Sequence, residues 1–192
     1  YAVTDPGVTL TCTAASADTA VSAERTATLL RTLVALPQGV EAMDTDFPGL
    51  VQTSLNMGVT KLDETGLRIR FSIRSSIASR KMMLAQRVRA VITLAGGTVT
   101  EGGVYPGWQY KRESQFRDTL LAAYKDLTGK DGVVEATHGG LECGLLMEKL
   151  PGLDAVSVGP DLFDVHSVRE RLNVASTERT YALVCELLRR SV

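Results

Sequence analysis

The residues best suited to chemistry are His138 and His166, the only two histidines among 192 residues. His138 precedes Gly139 and Gly140, and such a turn lets backbone N–H groups approach a ligand closely. His166 follows an apolar run and a Gly-Pro turn, which predicts a position at the C-terminal edge of a sheet, where open α/β folds bind ligands. Imidazole is a common zinc ligand, and a carboxylate such as Asp164 can orient it. Metal ligation by His166 and a plain surface-loop histidine are both compatible with this pattern.

Three other polar residues are candidates for contact with a substrate. Glu142 can add a carboxylate to the glycine turn, or it can lie in the first turn of a helix, where the helix dipole favours an acidic side chain. Arg74 is on the polar side of a predicted strand, where it can bind a carboxylate through two hydrogen bonds or simply face solvent. Asn56 is either a polar contact or a strand-end cap. Cys143 is expected to pack, since no histidine is obviously placed to activate its thiol.

Composition limits the classes of partner. The net charge of −1 implies no broad attraction to nucleic acid or to an anionic membrane. No apolar run reaches the roughly 18 residues of a membrane-spanning helix. The three cysteines are far apart and form no C-x-x-C pair, which favours a reducing, cytoplasmic location over a disulfide framework. We expect no signal peptide, and a start at Tyr1 is typical of the interior of a longer protein.

The elements that position these residues are predicted from hydrophobic periodicity. In the first half of the chain, alternation of apolar and polar residues predicts strands, and a 3.6-residue period predicts helices. Their order is β-α-β-β-α-β, the ferredoxin-like pattern. The predicted strands are residues 8–14, 51–60, 67–75 and 98–105, with a hairpin turn at 63–66, and the predicted helices are residues 25–36 and 79–95.

The pattern changes at Val104-Tyr105-Pro106-Gly107-Trp108, where we place a domain boundary. Beyond it, helices alternate with strands, which predicts an α/β region with a partly parallel sheet, although two strands alone make a marginal sheet. Helices are predicted at residues 114–128, 141–150 and 176–190, and strands at 132–136 and 155–158. The predicted class is therefore α/β (α+β), with domains at residues 1–106 and 107–192.

Several motifs in the chain are distinctive when they are taken together. They are Ser54-Leu55-Asn56-Met57-Gly58, Ile73-Arg74-Ser75-Ser76, Tyr105-Pro106-Gly107-Trp108, His138-Gly139-Gly140-Leu141-Glu142-Cys143-Gly144, Ser157-Val158-Gly159-Pro160 and His166. Their order and spacing resemble the C-terminal part of the bacterial aminoacyl-histidine (Xaa-His) dipeptidases. This carnosinase-like family belongs to the zinc peptidases that use two metal ions. The resemblance covers nearly the whole chain.

The resemblance implies a catalytic domain that holds two zinc ions, with manganese or cobalt as alternatives, and an inserted lid domain that mediates homodimerisation. Residues 1–106 would be the second part of the lid, and residues 107–192 the end of the catalytic domain. The resemblance further implies that His166 is a metal ligand, that Arg74 binds the carboxylate end of a dipeptide, and that Gly140 contacts the substrate. Asn56 and Glu142 are the remaining candidates for substrate binding.

The chain also departs from that family. The family's other metal ligands and its general base lie upstream, as a His-x-Asp pair, a bridging aspartate, a Glu-Glu dyad and a further aspartate. No histidine precedes His138, and no adjacent Glu-Glu pair occurs in the chain. Gly139 replaces the usual alanine, and Ser167-Val168 replaces a Thr-Pro or Ser-Pro pair, which loosens the loop at His166. Because the general base of that family lies upstream, the resemblance implies no catalytic residue in this chain. Because zinc needs about four ligands, we also expect no activity of the chain alone.

Two alternatives stay open at this point. The chain can be a stand-alone dimerisation or ligand-binding module, because a β-α-β-β-α-β set can fold by itself. It can also be one of two chains that together form an enzyme, with a separate N-terminal chain supplying the missing ligands.

Overall fold

The computed structural model describes residues 2–190; Tyr1, Ser191 and Val192, which the predicted domain ranges include, lie outside the described residues. Both helices and strands occur along this range. In chain order they are α1 (Ala23–Ala35), β1 (Gly39–Met43), β2 (Val51–Asp63), β3 (Gly66–Ser75), α2 (Ala78–Leu94), α3 (Gln115–Thr128), α4 (Glu142–Lys149), β4 (Leu162–Phe163), β5 (Arg171–Leu172) and α5 (Val174–Arg190). Within residues 2–190, every helix is too short or too polar to cross a membrane.

Strands β1, β2 and β3 form an antiparallel sheet in that order. The β2–β3 hairpin reverses at Glu64-Thr65, where the Thr65 N–H donates to the Asp63 carboxylate at 2.9 Å. Gly66 has a φ of 129°, which is accessible to glycine but costly for a side chain with a Cβ. The predicted hairpin is therefore confirmed, together with both of its strands.

Helix α2 packs on one face of this sheet, α1 contacts α2, and the other face is open. The core under the helices contains Leu36, Leu55, Leu84 and Val88. Along β3 the side chains alternate: Ile69, Phe71 and Ile73 pack against that core, whereas Arg68, Arg70, Ser72 and Arg74 are exposed. This is the alternation that the sequence predicts for a half-buried strand.

Helices α3 and α5 pack against each other around a second core. Its buried residues are Leu120, Ala123, Leu183 and Leu187. Helix α3 begins after Ser114, whose Oγ accepts a hydrogen bond from the Arg117 N–H at 3.1 Å, and ends at Gly129, which has a φ of 69°. Such caps are local features, and the predicted helix bounds of 114–128 differ from the observed ones by one residue.

The mixed α/β class is confirmed, but four predicted strands are wrong. Residues 8–14, 98–105, 132–136 and 155–158 have no paired strand, so neither the complete β-α-β-β-α-β set nor a partly parallel sheet forms within residues 2–190. Residues 8–14 are exposed, with Leu10 at 97%. Alternating residues predict which side of a strand would be buried, but a strand also needs a neighbouring backbone to bond with.

Conversely, β1 is not among the strands that the sequence predicts. Its sequence, Gly39-Val40-Glu41-Ala42-Met43, carries a glycine and a charged residue, which are depleted in strands. It pairs with β2 through a register that shifts twice. Tertiary pairing therefore outweighs the weak local preference at this edge of the sheet.

Candidate functional site

Arg74 and Asn56 lie on the same open face of the β2–β3 hairpin. In the register of the two strands, Arg74 is opposite Ser54 and Asn56 is opposite Ser72. Residues two apart on one strand share a face, so Asn56 and Arg74 are diagonal neighbours, about 7 Å apart between Cβ atoms. Both side chains are exposed. The structure therefore brings together two of the residues that were predicted to bind a substrate.

Arg74 has no acidic partner in the described part of the chain. Arg68, on the same strand, donates to the Asp63 carboxylate at 3.3 Å, whereas Arg74 forms no ion pair with any residue from 2 to 190. An exposed guanidinium with Ser54 opposite it and Asn56 beside it offers several donors on one surface. Such a surface can bind a carboxylate through paired hydrogen bonds.

The glycine loop, residues 137–140, precedes α4. The Gly139 N–H donates to Thr137 Oγ1 at 3.1 Å, which folds the loop back on itself. Gly140 lies against the aromatic ring of Tyr105: a Cβ on Gly140 would be 2.1 Å from Tyr105 Cδ1, far inside contact distance. Only glycine fits there without displacement of the ring. Glu142 is exposed in the first turn of α4, which agrees with both interpretations given for it above.

A short segment, residues 105–107, which we call the strap, contacts both this loop and the end of β3. A Cβ on Gly107 would lie 2.4 Å from the Ser75 carbonyl oxygen, and one on Gly144 would lie 3.2 Å from the Gly107 carbonyl oxygen. The strap thus passes between the Ser75 backbone, next to Arg74, and helix α4. Three of the sequence motifs, at Arg74, at the strap and at the glycine loop, are therefore in direct contact.

His166 lies elsewhere, in the exposed turn between β4 and β5. Its backbone is in the left-handed region, with a φ of 63°, and its N–H donates to Glu170 Oε2 at 2.9 Å. The Asp164 carboxylate, a candidate to orient the imidazole, instead accepts a hydrogen bond from Arg171 at 2.9 Å. The β4–β5 pairing places Arg171 beside Asp164, and an orienting role of Asp164 toward the imidazole stays a prediction.

The residues present do not form a zinc site. Among residues 2–190, no group of three or more His, Cys, Asp or Glu side chains is arranged to hold a metal ion. His138 is half-buried beside the glycine loop and His166 is exposed. Since zinc requires about four ligands, His166 alone cannot retain one.

A cavity of about 270 Å³ lies in the second half of the chain, beside the segments 132–136 and 155–158, which were predicted to be strands. The unpaired segments around Ala136 and Ala155 line it, together with Trp108, Lys111 and Asp154. No local pattern in the sequence points to this cavity, because its walls come from four separate parts of the chain.

Asp154 is a charged group in this wall that is held by several hydrogen bonds. Its carboxylate accepts hydrogen bonds from Ser114 Oγ at 2.8 Å and from the Phe116 N–H at 3.1 Å. Burial opposes ionisation of the carboxyl, but these hydrogen bonds and the charges of Lys111 and Arg117 outweigh it and lower the pKa of Asp154. The group therefore caps α3 and stays ionised.

The chain is similar to known dipeptidases in sequence and in structure. The chain is 35% identical over 162 residues to the cytosol non-specific dipeptidase of Escherichia coli (strain K12), a match that covers 84% of this chain and 33% of that protein. The structure superimposes on aminoacylhistidine dipeptidase from Vibrio alginolyticus with a TM-score of 0.81 at 30% identity, covering 92% of this chain and 36% of the other.

A more distant likeness shows the fold alone. Aminopeptidase PepT from Bacillus cereus has a TM-score of 0.63 at 16% identity, over 84% of this chain and 44% of the other. No family model matches the chain. The chain is thus homologous to the C-terminal part of a cytosol non-specific dipeptidase, and it spans about a third of that relative's length.

Proposed function

We propose that this chain carries substrate-binding residues of a dipeptidase that hydrolyses small dipeptides of the Xaa-His type. The observation that carries the proposal is the 35% identity to a dipeptidase over 162 residues. The contacts among the motifs at Arg74, the strap and the glycine loop support it. In this proposal residues 1–106 form part of a lid, and residues 107–192 form the end of the catalytic domain.

Each candidate residue has a role in this proposal. Arg74 binds the C-terminal carboxylate of the dipeptide, and Asn56 adds a hydrogen bond from the neighbouring strand. The backbone at Gly140 lies close to the substrate because the glycine has no side chain. Glu142, exposed after the loop, attracts the positively charged amino end of the substrate.

The proposal includes a metal only as part of a larger assembly. His166 is one ligand of a site for two zinc ions, or for manganese or cobalt, whose other ligands and general base are not in this chain. Because residues 2–190 contain no complete ligand group, the chain alone is inactive in this proposal. We also propose a cytoplasmic location and a homodimer formed through residues 1–106.

A second candidate function is a stand-alone dimerisation or ligand-binding module. The separate core under the sheet, formed by Leu36, Leu55, Leu84 and Val88, favours it, because it does not depend on the second half of the chain. Under this alternative, a dipeptide would not bind at Arg74.

The carboxylate role of Arg74 is tested by titrating the chain with a dipeptide and with its C-terminal amide, followed by NMR amide shifts. We expect shifts at β2 and β3 with the free carboxylate and none with the amide. Arg74→Ala is expected to weaken binding about tenfold or more, as for a charged hydrogen-bond pair. Arg70→Ala is the matched control, since Arg70 is exposed on the same face. Equal effects of the two substitutions would contradict the role of Arg74.

A further inference from the structure

The strap is held from both sides, by the side chain of Lys81 and by close backbone contacts. On one side Lys81 Nζ donates to the Tyr105 carbonyl oxygen, and the backbone of Gly107 lies against the Ser75 and Ser76 carbonyl oxygens. On the other side α4 approaches through Gly144, which lies against the Gly107 carbonyl. Side chains at either glycine would separate these elements.

The β3 end of this contact path is itself rigid. Ser75 is 3% exposed, and its Oγ shares a hydrogen bond of 2.8 Å with Thr53 Oγ1 and accepts one of 3.0 Å from the Ile77 N–H. The Ser76 N–H donates to the Gln52 carbonyl at 3.2 Å. Because these hydrogen bonds hold Ser75 and Ser76 in place, a displacement of the strap is expected to move the backbone next to Arg74.

At the other end, the strap contacts the glycine loop through one aromatic ring. A Cβ on Gly140 would lie 2.1 Å from Tyr105 Cδ1 and 2.6 Å from Cε1, whereas a Cβ on Gly139 would meet only Thr137 Oγ1 at 3.4 Å. The loop backbone thus rests on the ring at Gly140 and not at the adjacent glycine. Packed interfaces of this kind transmit small displacements.

We infer that Tyr105 is a positioning residue that couples the glycine loop to the Arg74 end of β3, so that the two segments keep a fixed spacing. If the proposed function holds, on which this second part of the inference rests, the fixed spacing between the glycine loop and Arg74 selects peptides by length. We expect a dipeptide whose carboxylate is at Arg74 to reach the loop at Gly140, and a tripeptide, which is longer by about 3.4 Å, not to fit the same spacing.

The coupling is tested without any ligand, by NMR amide shifts of the full chain. Gly140→Ala pushes the ring away, and we expect shifts at Arg74, Ser75 and Ser76 as well as in the loop. Gly139→Ala is the matched control and is expected to change the loop alone. The double variant Tyr105→Ala with Gly140→Ala is expected to resemble Tyr105→Ala, because the clash is gone. Shifts confined to the loop in Gly140→Ala would overturn the inference.

If Gly140→Ala does not fold, the contact is tested from its other side. Tyr105→Phe keeps the ring and is expected to leave hydrogen exchange in residues 138–144 unchanged, whereas Tyr105→Ala is expected to increase it at least tenfold. Unchanged exchange in Tyr105→Ala would contradict the coupling.

Selection by length is measured as the ratio of dissociation constants for a tripeptide and a dipeptide. We expect the unchanged chain to bind the dipeptide about tenfold more tightly than the tripeptide. Tyr105→Ala is expected to reduce this preference to about twofold, and Tyr105→Phe is expected to keep it at about tenfold. An unaltered preference in Tyr105→Ala would contradict the length clause. Absence of binding by either peptide to the unchanged chain would sink the proposed function and, with it, the length clause, but not the coupling seen in Gly140→Ala.

Discussion

The carboxylate of Asp154 shows how a single side chain holds two distant segments together. It accepts hydrogen bonds from Ser114 Oγ and the Phe116 N–H, and it is 22% exposed. We predict that Asp154→Ala lowers the free energy of unfolding by about 1 kcal/mol, the usual contribution of a capping hydrogen bond. The control is Asp131→Ala, which removes an exposed ion pair with Lys125 and should cost less than about 0.5 kcal/mol. Urea unfolding measures both.

The pH dependence of this difference has a definite sign. Because the pKa of Asp154 is lowered in the folded state, its stabilising contribution is complete above the unfolded pKa of about 3.9 and is lost as pH falls through the folded pKa. The difference between the unchanged chain and Asp154→Ala should therefore be constant near neutral pH and shrink below about pH 4. A difference that grows on acidification would contradict this assignment.

For individual residues, the sequence predicts which side of a strand a side chain occupies better than it predicts which residue that side chain contacts. Alternation along β3 placed Arg74 on the open face, and the register confirms Asn56 as its neighbour. The ion pair between Asp164 and Arg171 could not be predicted, because it depends on a strand pair that the sequence does not signal. The metal role of His166 stays a prediction.

Among the elements, α2 offers a direct test of which face is buried. Leu84 is 0% exposed in the core under the sheet, whereas Leu94, in the last turn of the same helix, is 89% exposed. We predict that Leu84→Ala lowers the free energy of unfolding by about 2–5 kcal/mol through loss of contacts and the cavity left behind. Leu94→Ala should change it by less than about 0.5 kcal/mol. Similar values for the two in urea unfolding would be inconsistent with this packing.

Helices were predicted more accurately than strands for a physical reason. The signals at Ser22, Ser114 and Gly129 act within a few residues of the helix ends, so the local sequence contains them. Residues 8–14 and 132–136 have strand-like patterns, but no neighbouring backbone pairs with them in the described part of the chain. Strand formation depends on such distant partners, and a local pattern cannot supply them.

For the whole molecule, the two cores are separate and the sheet has open edges. Edge strands are common sites of pairing between chains, and Val40 on the edge strand β1 is 57% exposed. We predict that the full chain forms a homodimer through residues 1–106 and that Val40→Asp weakens it about tenfold or more. Leu188→Asp is the control, since Leu188 is 63% exposed on α5. Light scattering after size exclusion gives the mass; a monomer at all concentrations would contradict the prediction.

We propose that the molecule as a whole contains residues that bind a dipeptide but not a complete catalytic site. The most direct test is one NMR time course of the purified chain with an Xaa-His dipeptide and added zinc, which reports binding and hydrolysis together. We predict saturable binding that Arg74→Ala weakens, with the dipeptide intact throughout. Hydrolysis whose rate scales with the concentration of this chain, or the absence of any binding, would contradict the account.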